Sequence, residues 1–334
     1  MSSKKPFRVF RGLPQLSMLV LILIINVINS PSFFNVTIQD GRLFGSIIDV
    51  FYRGVPVAIL ALGMTPVIAT GGIDLSVGAV IAIAGAVTAS LAQTDLAGWQ
   101  IISLVLMTGL ACGLWNGLLV AWLGIQPFVA TLILMVSGRG MAQMITEGKI
   151  LTFTNPAVDF ISRSAFLTVP TAIIIMLAVL LMGWVLLRGT ALGMFVEATG
   201  INRVASTNVG VKTGAVLTTV YMWCGFCAAI AGLIITSDIR GADANNAGLW
   251  LEMDAILAVV IGGTSLLGGR FSLGFSLLGA LIIQAMNTGI LVSGFKPELN
   301  YIVKALVVLA VLCAQSPALR IFMAKLGQKR RAAS

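Results

Sequence analysis

Few side chains in this sequence could carry out bond-making chemistry. The chain has no histidine, which is the commonest general base and the commonest metal ligand in proteins. It has only four cysteines. Cys224 and Cys227 match the Cys-x-x-Cys redox pattern, but they lie in an apolar run, where two small residues on a helix are the favoured interpretation. The sequence contains no Walker A motif for ATP hydrolysis. We therefore predict no catalytic residue, no metal site and no cofactor bound by this chain.

Isolated polar residues inside apolar stretches are the next candidates for function. Asp74 follows Gly71-Gly72, Asn116 lies among small residues, and Arg139 interrupts a run of apolar residues. Such groups are costly in a membrane and often line a transport path. Each also has a structural alternative. Asp74 can cap the helix that follows it, which is the favoured alternative. Asn116 can bond to a neighbouring helix, and Arg139 can extend to the membrane surface or form an ion pair.

The segment 237–254 is rich in carboxylates and amides. It reads SDIRGADANNAGLWLEMD and contains Asn245, Asn246, Asp254 and one tryptophan. Amides and carboxylates bind the hydroxyls of neutral sugars, and an aromatic ring stacks on their faces. We place these three polar residues, together with Asn287 in a later apolar run, on a predicted substrate path. Contact with an extracellular partner and a merely solvated loop are the alternatives.

Glycine pairs mark two predicted helix breaks. Gly71-Gly72 and Gly268-Gly269 each follow an Ala-Ile-Leu-Ala sequence by thirteen residues. This similarity favours two parallel repeats, while a second weak similarity favours inverted ones, so the repeat is left open. We interpret both pairs as hinges in broken or re-entrant helices. A further set has the small-xxx-small spacing with which membrane helices pack closely: Gly109, Gly113 and Gly117.

The composition indicates which elements carry these residues. Of the 334 residues, 58% are hydrophobic and 10% are charged, whereas soluble domains carry about 25% charged residues. We therefore predict an all-α membrane protein with about ten transmembrane helices in one domain. The predicted spans are Leu13–Phe33, Val50–Thr70, Ile73–Ala92, Trp99–Leu123, Phe128–Thr146, Phe166–Leu187, Ala215–Thr236, Ala255–Leu267, Leu273–Val292 and Tyr301–Leu319. The eighth is short and ends in glycines, which indicates a tilted or broken helix.

The net charge of +9 marks topology rather than nucleic-acid binding, because the chain has no long basic face that could follow phosphates. With both termini cytoplasmic, thirteen of the 21 basic residues lie inside and ten of the twelve acidic residues lie outside. This orientation gives a cytoplasmic N-terminus (1–12), a cytoplasmic loop (188–214), a periplasmic loop (237–254) and a cytoplasmic tail (320–334).

Four segments together resemble the permease subunits of bacterial ABC sugar importers of the ribose/xylose/galactose class. They are ATGGIDLSVGA, GIQPFVATL, VVIGGTSLLGGR and the Glu-Ala-x-Gly-x-Asn-x-x-Ala-x-x-x-x-Gly pattern at 197–210. The resemblance extends from Val50 to Leu319. Within the class, QDGRLFGS and the segment 238–263 look most like galactofuranose importer permeases. The expected fold is that of an ABC importer permease.

The resemblance also implies partners in the bacterial inner (cytoplasmic) membrane. These are a cytoplasmic ATP-binding subunit with two ATPase domains, which binds the ATP and Mg, and a second permease that forms a heterodimer with this chain. A periplasmic sugar-binding protein delivers the monosaccharide, and the lipid bilayer surrounds the helices. Transport is expected by alternating access. The segment 197–208 is amphipathic and is followed by glycine, which predicts one short helix on the cytoplasmic side. The residues that match the ATPase-coupling helix of the family are Glu197, Gly200, Asn202, Ala205, Asn208 and Gly210.

Other function classes fit less well. A permease for ribose or another monosaccharide remains a close alternative. An ion-coupled secondary transporter usually needs several carboxylates or histidines within the membrane, and Asp74 is the one candidate in the inner half. An intramembrane enzyme would need a catalytic pair in the bilayer, and the sequence shows none.

Overall fold

The apolar runs fold into helices, in which every backbone group of a membrane segment can find a partner. The computed structural model describes residues 12–39, 41–294, 296 and 298–315, which form thirteen α-helices and six short strands. The helices are α1 Leu13–Asn29, α2 Ser46–Ala69, α3 Val77–Leu91, α4 Gly98–Ala121, α5 Pro127–Ile145, α6 Pro156–Arg163, α7 Thr171–Arg188, α8 Leu192–Ile201, α9 Arg203–Asn208, α10 Thr213–Ile239, α11 Leu251–Ile261, α12 Leu273–Val292 and α13 Leu299–Gln315.

Six of these helices are long and apolar enough to cross a membrane: α2, α4, α5, α7, α10 and α12. Helices α1, α3 and α8 are apolar but shorter. With 11 residues, α11 extends only about 16 Å, roughly half of the hydrocarbon thickness. An all-α membrane protein is therefore confirmed for the described residues, while the number of ten spans stays a prediction.

Several predicted span ends differ from the observed ones. The first predicted span, α1, ends at Asn29 instead of Phe33, and the third, α3, begins at Val77 instead of Ile73. The sixth, α7, begins at Thr171 instead of Phe166, and the eighth, α11, covers Leu251–Ile261 instead of Ala255–Leu267. Local backbone chemistry explains two of these shifts. Pro170, which closes the β4–β5 hairpin, directly precedes α7. Gly263, at φ +88°, lies in the turn that ends α11.

The long helix α10 lies at the centre of the fold and packs against α2, α3 and α4. It approaches α4 closely at the glycines with small-xxx-small spacing. A Cβ atom on Gly109 would lie 2.5 Å from the carbonyl oxygen of Gly225, and one on Gly113 would overlap the carbonyl oxygen of Tyr221. Glycine is thus required for this backbone contact, as the spacing predicts.

Helix ends gather in two groups. Gln15 of α1 donates to the carbonyl oxygen of Ile261, and Arg203 donates to that of Ala121, so these ends lie together with α8 and α9. We name this the inner end. The opposite, outer end carries three antiparallel strand pairs: β1 Thr37–Gln39 with β2 Arg42–Phe44, β3 Leu151–Thr152 with β6 Gly241–Ala242, and β4 Ala165–Phe166 with β5 Val169–Pro170.

The α4–α10 contact gives a first prediction. Gly113→Ala should lower the free energy of unfolding by about 1–3 kcal/mol, because the added methyl group forces the two helix backbones apart. Gly140→Ala is the matched control, since a Cβ atom there has no other atom within 4 Å, and it should be neutral or stabilising by up to about 1 kcal/mol. Thermal denaturation of the purified protein in detergent measures both. Equal melting temperatures for the two variants would contradict the packing role.

Candidate functional site

Three chain segments meet through their backbones at the inner end. The N–H of Gly269 donates to the carbonyl oxygen of Ala69 at 2.8 Å. A Cβ atom on Gly200 would overlap the same oxygen, and one on Gly268 would lie 2.8 Å from the carbonyl oxygen of Gly200 and 3.0 Å from the nitrogen of Gly71. We name this contact of Ala69, Gly71, Gly200, Gly268 and Gly269 the glycine junction. It joins the break after α2, the break after α11 and the end of α8.

The glycine junction brings together residues that the sequence assigned to separate roles. Gly71, Gly268 and Gly269 were predicted as hinges, and all three have φ between +80° and +103°, a conformation that side chains disfavour. Gly200 was predicted as a coupling residue, yet it is a packing residue of this junction. Gly72, the remaining predicted hinge residue, is not part of the glycine junction. A Cβ atom there would be 2.7 Å from the hydroxyl of Tyr221.

The segment predicted as one amphipathic helix over 197–208 is two helices. Asn202 separates them with an extended backbone at φ −158° and ψ 101°. Its side-chain oxygen accepts the N–H of Ala205 at 2.9 Å, so Asn202 caps the start of α9. Gly210, at φ +91°, follows the end of α9. The prediction of a single helix was wrong because a capping asparagine interrupts the helical pattern.

Glu197 forms an ion pair with a residue of α7. Its carboxylate pairs with Arg188 at 3.1 Å. The guanidinium of Arg188 also donates to the carbonyl oxygen of Phe271 at 2.6 Å and lies 4.6 Å from the centre of its ring. These contacts tie α8 to the end of α7 and to the segment before α12.

An exposed and largely apolar surface remains on the other side of α8 and α9. The exposed fractions of Ile201, Val204 and Val209 are 74%, 70% and 80%. Ala205 and Asn208, two predicted coupling residues, are also exposed. We name these five residues the coupling surface. Exposed apolar side chains so close in sequence make this segment the candidate contact for a partner protein.

A cavity of about 590 Å³ lies at the outer end between α2, α10, α11, α12 and α13, with a lining of apolar and polar side chains. Two residues predicted on the substrate path, Asp254 and Asn287, line it. Lys304 of α13 donates to both carboxylate oxygens of Asp254 at 2.8 and 2.7 Å. Trp250 and Tyr301 add aromatic rings. We name this space the outer cavity, and its volume is in the range that holds small-molecule ligands.

Asp74 and Asn116 lie together, although away from the residues that line the outer cavity. Asp74 accepts the backbone N–H of Ser76 at 2.9 Å and its hydroxyl at 2.6 Å. Asn116 donates to the same hydroxyl oxygen at 2.8 Å and to Asp74 at 3.4 Å. Both Asp74 and Asn116 are buried. This cluster holds the turn before α3. Asp74 does not cap the helix itself, because the N-cap position is Ser76 and no side chain of the described residues accepts a hydrogen bond from the first turn of α3.

Arg139, Asn245 and Asn246 hold the loop between α10 and α11. Arg139 donates to the carbonyl oxygens of Ala244 and Ala247 at 3.2 and 2.6 Å, and Asn245 accepts from a glutamine of α5 at 2.7 Å. The amide of Asn246 donates to Asp243 at 2.7 Å, and this hydrogen bond lowers the pKa of Asp243 below its usual value. The observed loop is 240–250, shorter than the predicted 237–254, because α10 and α11 extend into both of its ends.

Three further groups of the outer cavity were not among the predicted site residues: Tyr52, Asp238 and Lys304. Lys304 is a lysine within a predicted span, and its cost in a membrane could have indicated a partner such as Asp254. Tyr52 donates to Asp238 at 2.5 Å, but the two residues lie on α2 and α10. A contact between two such distant segments leaves no local pattern in one sequence.

Comparison with known proteins assigns the chain to a family. The model of a family described as "Branched-chain amino acid transport system / permease component" matches residues 46–312. This range includes the glycine junction, the coupling surface and every residue named for the outer cavity. The chain belongs to this permease family. The permease is therefore a multi-pass membrane component of a transport system, in agreement with its six long apolar helices.

Curated relatives of the permease include several sugar transporters. It is 59% identical to the galactofuranose transporter permease protein YtfT of Escherichia coli (strain K12), over 94% of this chain and 92% of that protein. It is 41% identical to the fructose import permease protein FruF of Bifidobacterium longum, over 87% and 83%. It is 36% identical to the ribose import permease protein RbsC of Haemophilus influenzae, over 90% and 91%. No solved structure matches the chain.

The pairing of Asp254 with Lys304 gives a second prediction. The two side chains are only 11% and 13% exposed. Lys304→Met leaves a nearly buried carboxylate without its partner and should cost about 3 kcal/mol of stability. The double variant Asp254→Leu/Lys304→Met removes both charges and should melt above the single variant. Thermal denaturation in detergent of both single variants and the double variant measures this double-mutant cycle. If the effects of the two single substitutions simply add in the double variant, the pair is not coupled.

Proposed function

We propose that this permease is the transmembrane subunit of an ATP-driven, binding-protein-dependent sugar importer of the bacterial inner membrane, with galactofuranose as its sugar. The observation that carries the proposal is the 59% identity to a galactofuranose transporter permease over 94% of the chain. The fructose and ribose permeases among the relatives support a sugar over an amino acid. The family description itself favours a branched-chain amino acid as the second candidate substrate.

The proposed importer contains three kinds of partner. An ATPase subunit with two ATP-binding domains carries the ATP and Mg and docks on the coupling surface. A second permease forms a heterodimer with this chain, and a periplasmic binding protein delivers the sugar to the outer end. Basic residues support this orientation, with both termini cytoplasmic and about ten crossings. Arg188, Arg203, Lys212 and Arg270 lie at the inner end. The support comes from the count over the whole sequence, in which this topology assigns thirteen of the 21 basic residues, most of them in the two terminal segments, to the cytoplasmic side.

The structure suggests how ATPase movement reaches the transport path. A shift of α8 acts on the glycine junction, because Gly200 touches the backbone of Ala69 there. The same junction holds the breaks after α2 and α11, and both helices also line the outer cavity. Alternating access then consists of coupled movement of these helices. Docking of the loaded binding protein must favour one of the two states in order to stimulate turnover.

An exposed residue of the coupling surface gives a clean test of this arrangement. Ala205→Trp adds bulk outside the protein core, so the permease should fold normally and lose ATPase contact. We expect its affinity for the ATPase subunit to fall by about tenfold, or 1.4 kcal/mol. Titration of the purified permease with the ATPase subunit measures it. Gly200 is unsuitable for this test, because a side chain there would disrupt the glycine junction.

The matched control places the same bulk at the other end of the molecule. Ala97 is also exposed, and it directly precedes α4 at the outer end. Ala97→Trp should bind the ATPase subunit with unchanged affinity. If Ala205→Trp binds the ATPase subunit with wild-type affinity, α9 is not part of the interface. That result would contradict the assignment of the coupling surface.

A further inference from the structure

We propose that a turn in the segment after α11 is a second contact of this permease with the ATPase subunit, next to the coupling surface. The turn comprises Ser265, Leu266, Leu267 and Gly268, and we name it the leucine turn. The inference rests on the proposed function for the existence of the ATPase subunit. It extends the expected interface from the predicted coupling segment to a part of the chain that was predicted only as a helix break.

Hydrogen bonds within the leucine turn fix its shape. The carbonyl oxygen of Ser265 accepts the N–H of Gly268 at 3.0 Å, which is the closing hydrogen bond of a β-turn. The hydroxyl oxygen of Ser265 accepts the N–H of Leu267 at 3.1 Å. Leu266 and Leu267 therefore occupy the two corner positions, and the turn holds this form without help from a partner.

The residue types at the corners are unusual for a turn that faces water. Glycine, proline, asparagine, aspartate and serine are common in turns, because each favours the turn backbone or bonds to it. Leucine does neither, and Leu266 and Leu267 are 41% and 90% exposed. Contact of Leu267 with a partner would therefore remove a large apolar surface from water, which stabilises association.

The leucine turn lies directly beside the coupling surface. A Cβ atom on Gly269 would be 3.7 Å from Cγ1 of Ile201, a residue of that surface. A Cβ atom on Gly268 would lie 2.8 Å from the carbonyl oxygen of Gly200. Ile201 and Leu267, with exposed fractions of 74% and 90%, thus belong to adjoining exposed surfaces. A protein that covers α9 and Ile201 reaches the leucine turn as well.

The backbone of the turn favours a protein partner over lipid. Among the described residues, no group donates a hydrogen bond to the carbonyl oxygens of Leu266 and Leu267. Irregular backbone with free carbonyl groups is unstable in the hydrocarbon of a bilayer, because no water is present there to bond to it. This places the turn outside the lipid tails, where a protein surface can both cover the leucines and donate hydrogen bonds to these oxygens.

A contact at the leucine turn gives the ATPase subunit a direct connection to α11. Gly268, the last residue of the turn, is part of the glycine junction, and α11 ends at Ile261 shortly before the turn. Through the coupling surface alone, movement reaches this segment only by way of Gly200. With the second contact, the ATPase subunit holds two of the three segments of the junction, so that α8 and the segment after α11 move together.

Removal of the most exposed leucine tests the second contact. Leu267→Ser introduces a residue that β-turns accept, so the permease should keep its wild-type melting temperature. We expect its affinity for the ATPase subunit to fall about tenfold, because one leucine side chain no longer becomes buried on binding. Titration of this permease, purified together with the second permease, with the ATPase subunit measures the affinity.

The matched control is the same substitution in a turn at the other end of the molecule. Leu167 is 81% exposed and lies in the turn between β4 and β5 at the outer end. Leu167→Ser should therefore bind the ATPase subunit with wild-type affinity.

The outcomes separate this inference from the proposed function. If the wild-type permease binds no ATPase subunit, the proposed function is wrong and the inference fails with it. If the wild-type permease binds this subunit and Leu267→Ser keeps wild-type affinity, the inference alone is overturned. An equal loss of affinity in Leu267→Ser and Leu167→Ser also overturns it, because the effect would not depend on the inner end.

Photocrosslinking identifies the partner of the turn directly. With p-benzoylphenylalanine in place of Leu267, irradiation of the complete importer in proteoliposomes should crosslink this chain to the ATPase subunit. The same group in place of Leu167 should give no such crosslink. Crosslinks from position 267 to lipid or to the second permease, without the ATPase subunit, would overturn the inference. This measurement does not depend on affinity, so it also decides the case in which Leu267→Ser alters the fold.

Discussion

Backbone contact at the glycine junction is the constraint on which the rest of this structure depends. The carbonyl oxygen of Ala69 accepts a hydrogen bond from Gly269 and lies directly against Gly200. Three chain segments approach so closely that no side chain fits between them, and two of the breaks need positive φ angles as well. As a result, α2, α8 and the segment after α11 cannot shift independently at this point.

This constraint links the two ends of the molecule. Helix α2, with 24 residues, reaches about 36 Å from the glycine junction towards the outer end, where Tyr52 lines the outer cavity. Helix α11 begins beside the same cavity and ends at Ile261, and the non-helical segment that follows it carries Gly268 and Gly269 of the junction. The coupling surface is therefore connected to the cavity wall through α2 and, less directly, through this segment and α11. The proposed alternating access requires this kind of connection, because the energy in that proposal comes from a separate ATPase subunit.

Local features of this fold could be predicted from sequence, and contacts between distant segments could not. Long apolar runs identified each long helix, because a helix in lipid needs about 20 such residues, and glycine pairs identified both breaks. The division of the coupling segment depends on one capping residue, Asn202, whose signal is weaker than the surrounding helical pattern. The meeting of Gly200 with Gly268, and of Asp254 with Lys304, arises from tertiary packing. A single sequence gives the residue types of such pairs but not their partners.

The most direct test measures whether the coupling surface and the breaks move as one unit. Spin labels at Met194 of α8 and Arg270, which are both exposed and lie outside the coupling surface and the leucine turn, report the distance between α8 and the break after α11 in the assembled importer. The account predicts the same distance distribution with and without bound ATP, while the distance from Met194 to Trp99, exposed near the start of α4, changes between the two states. A change in the Met194–Arg270 distance on ATP binding would contradict the account.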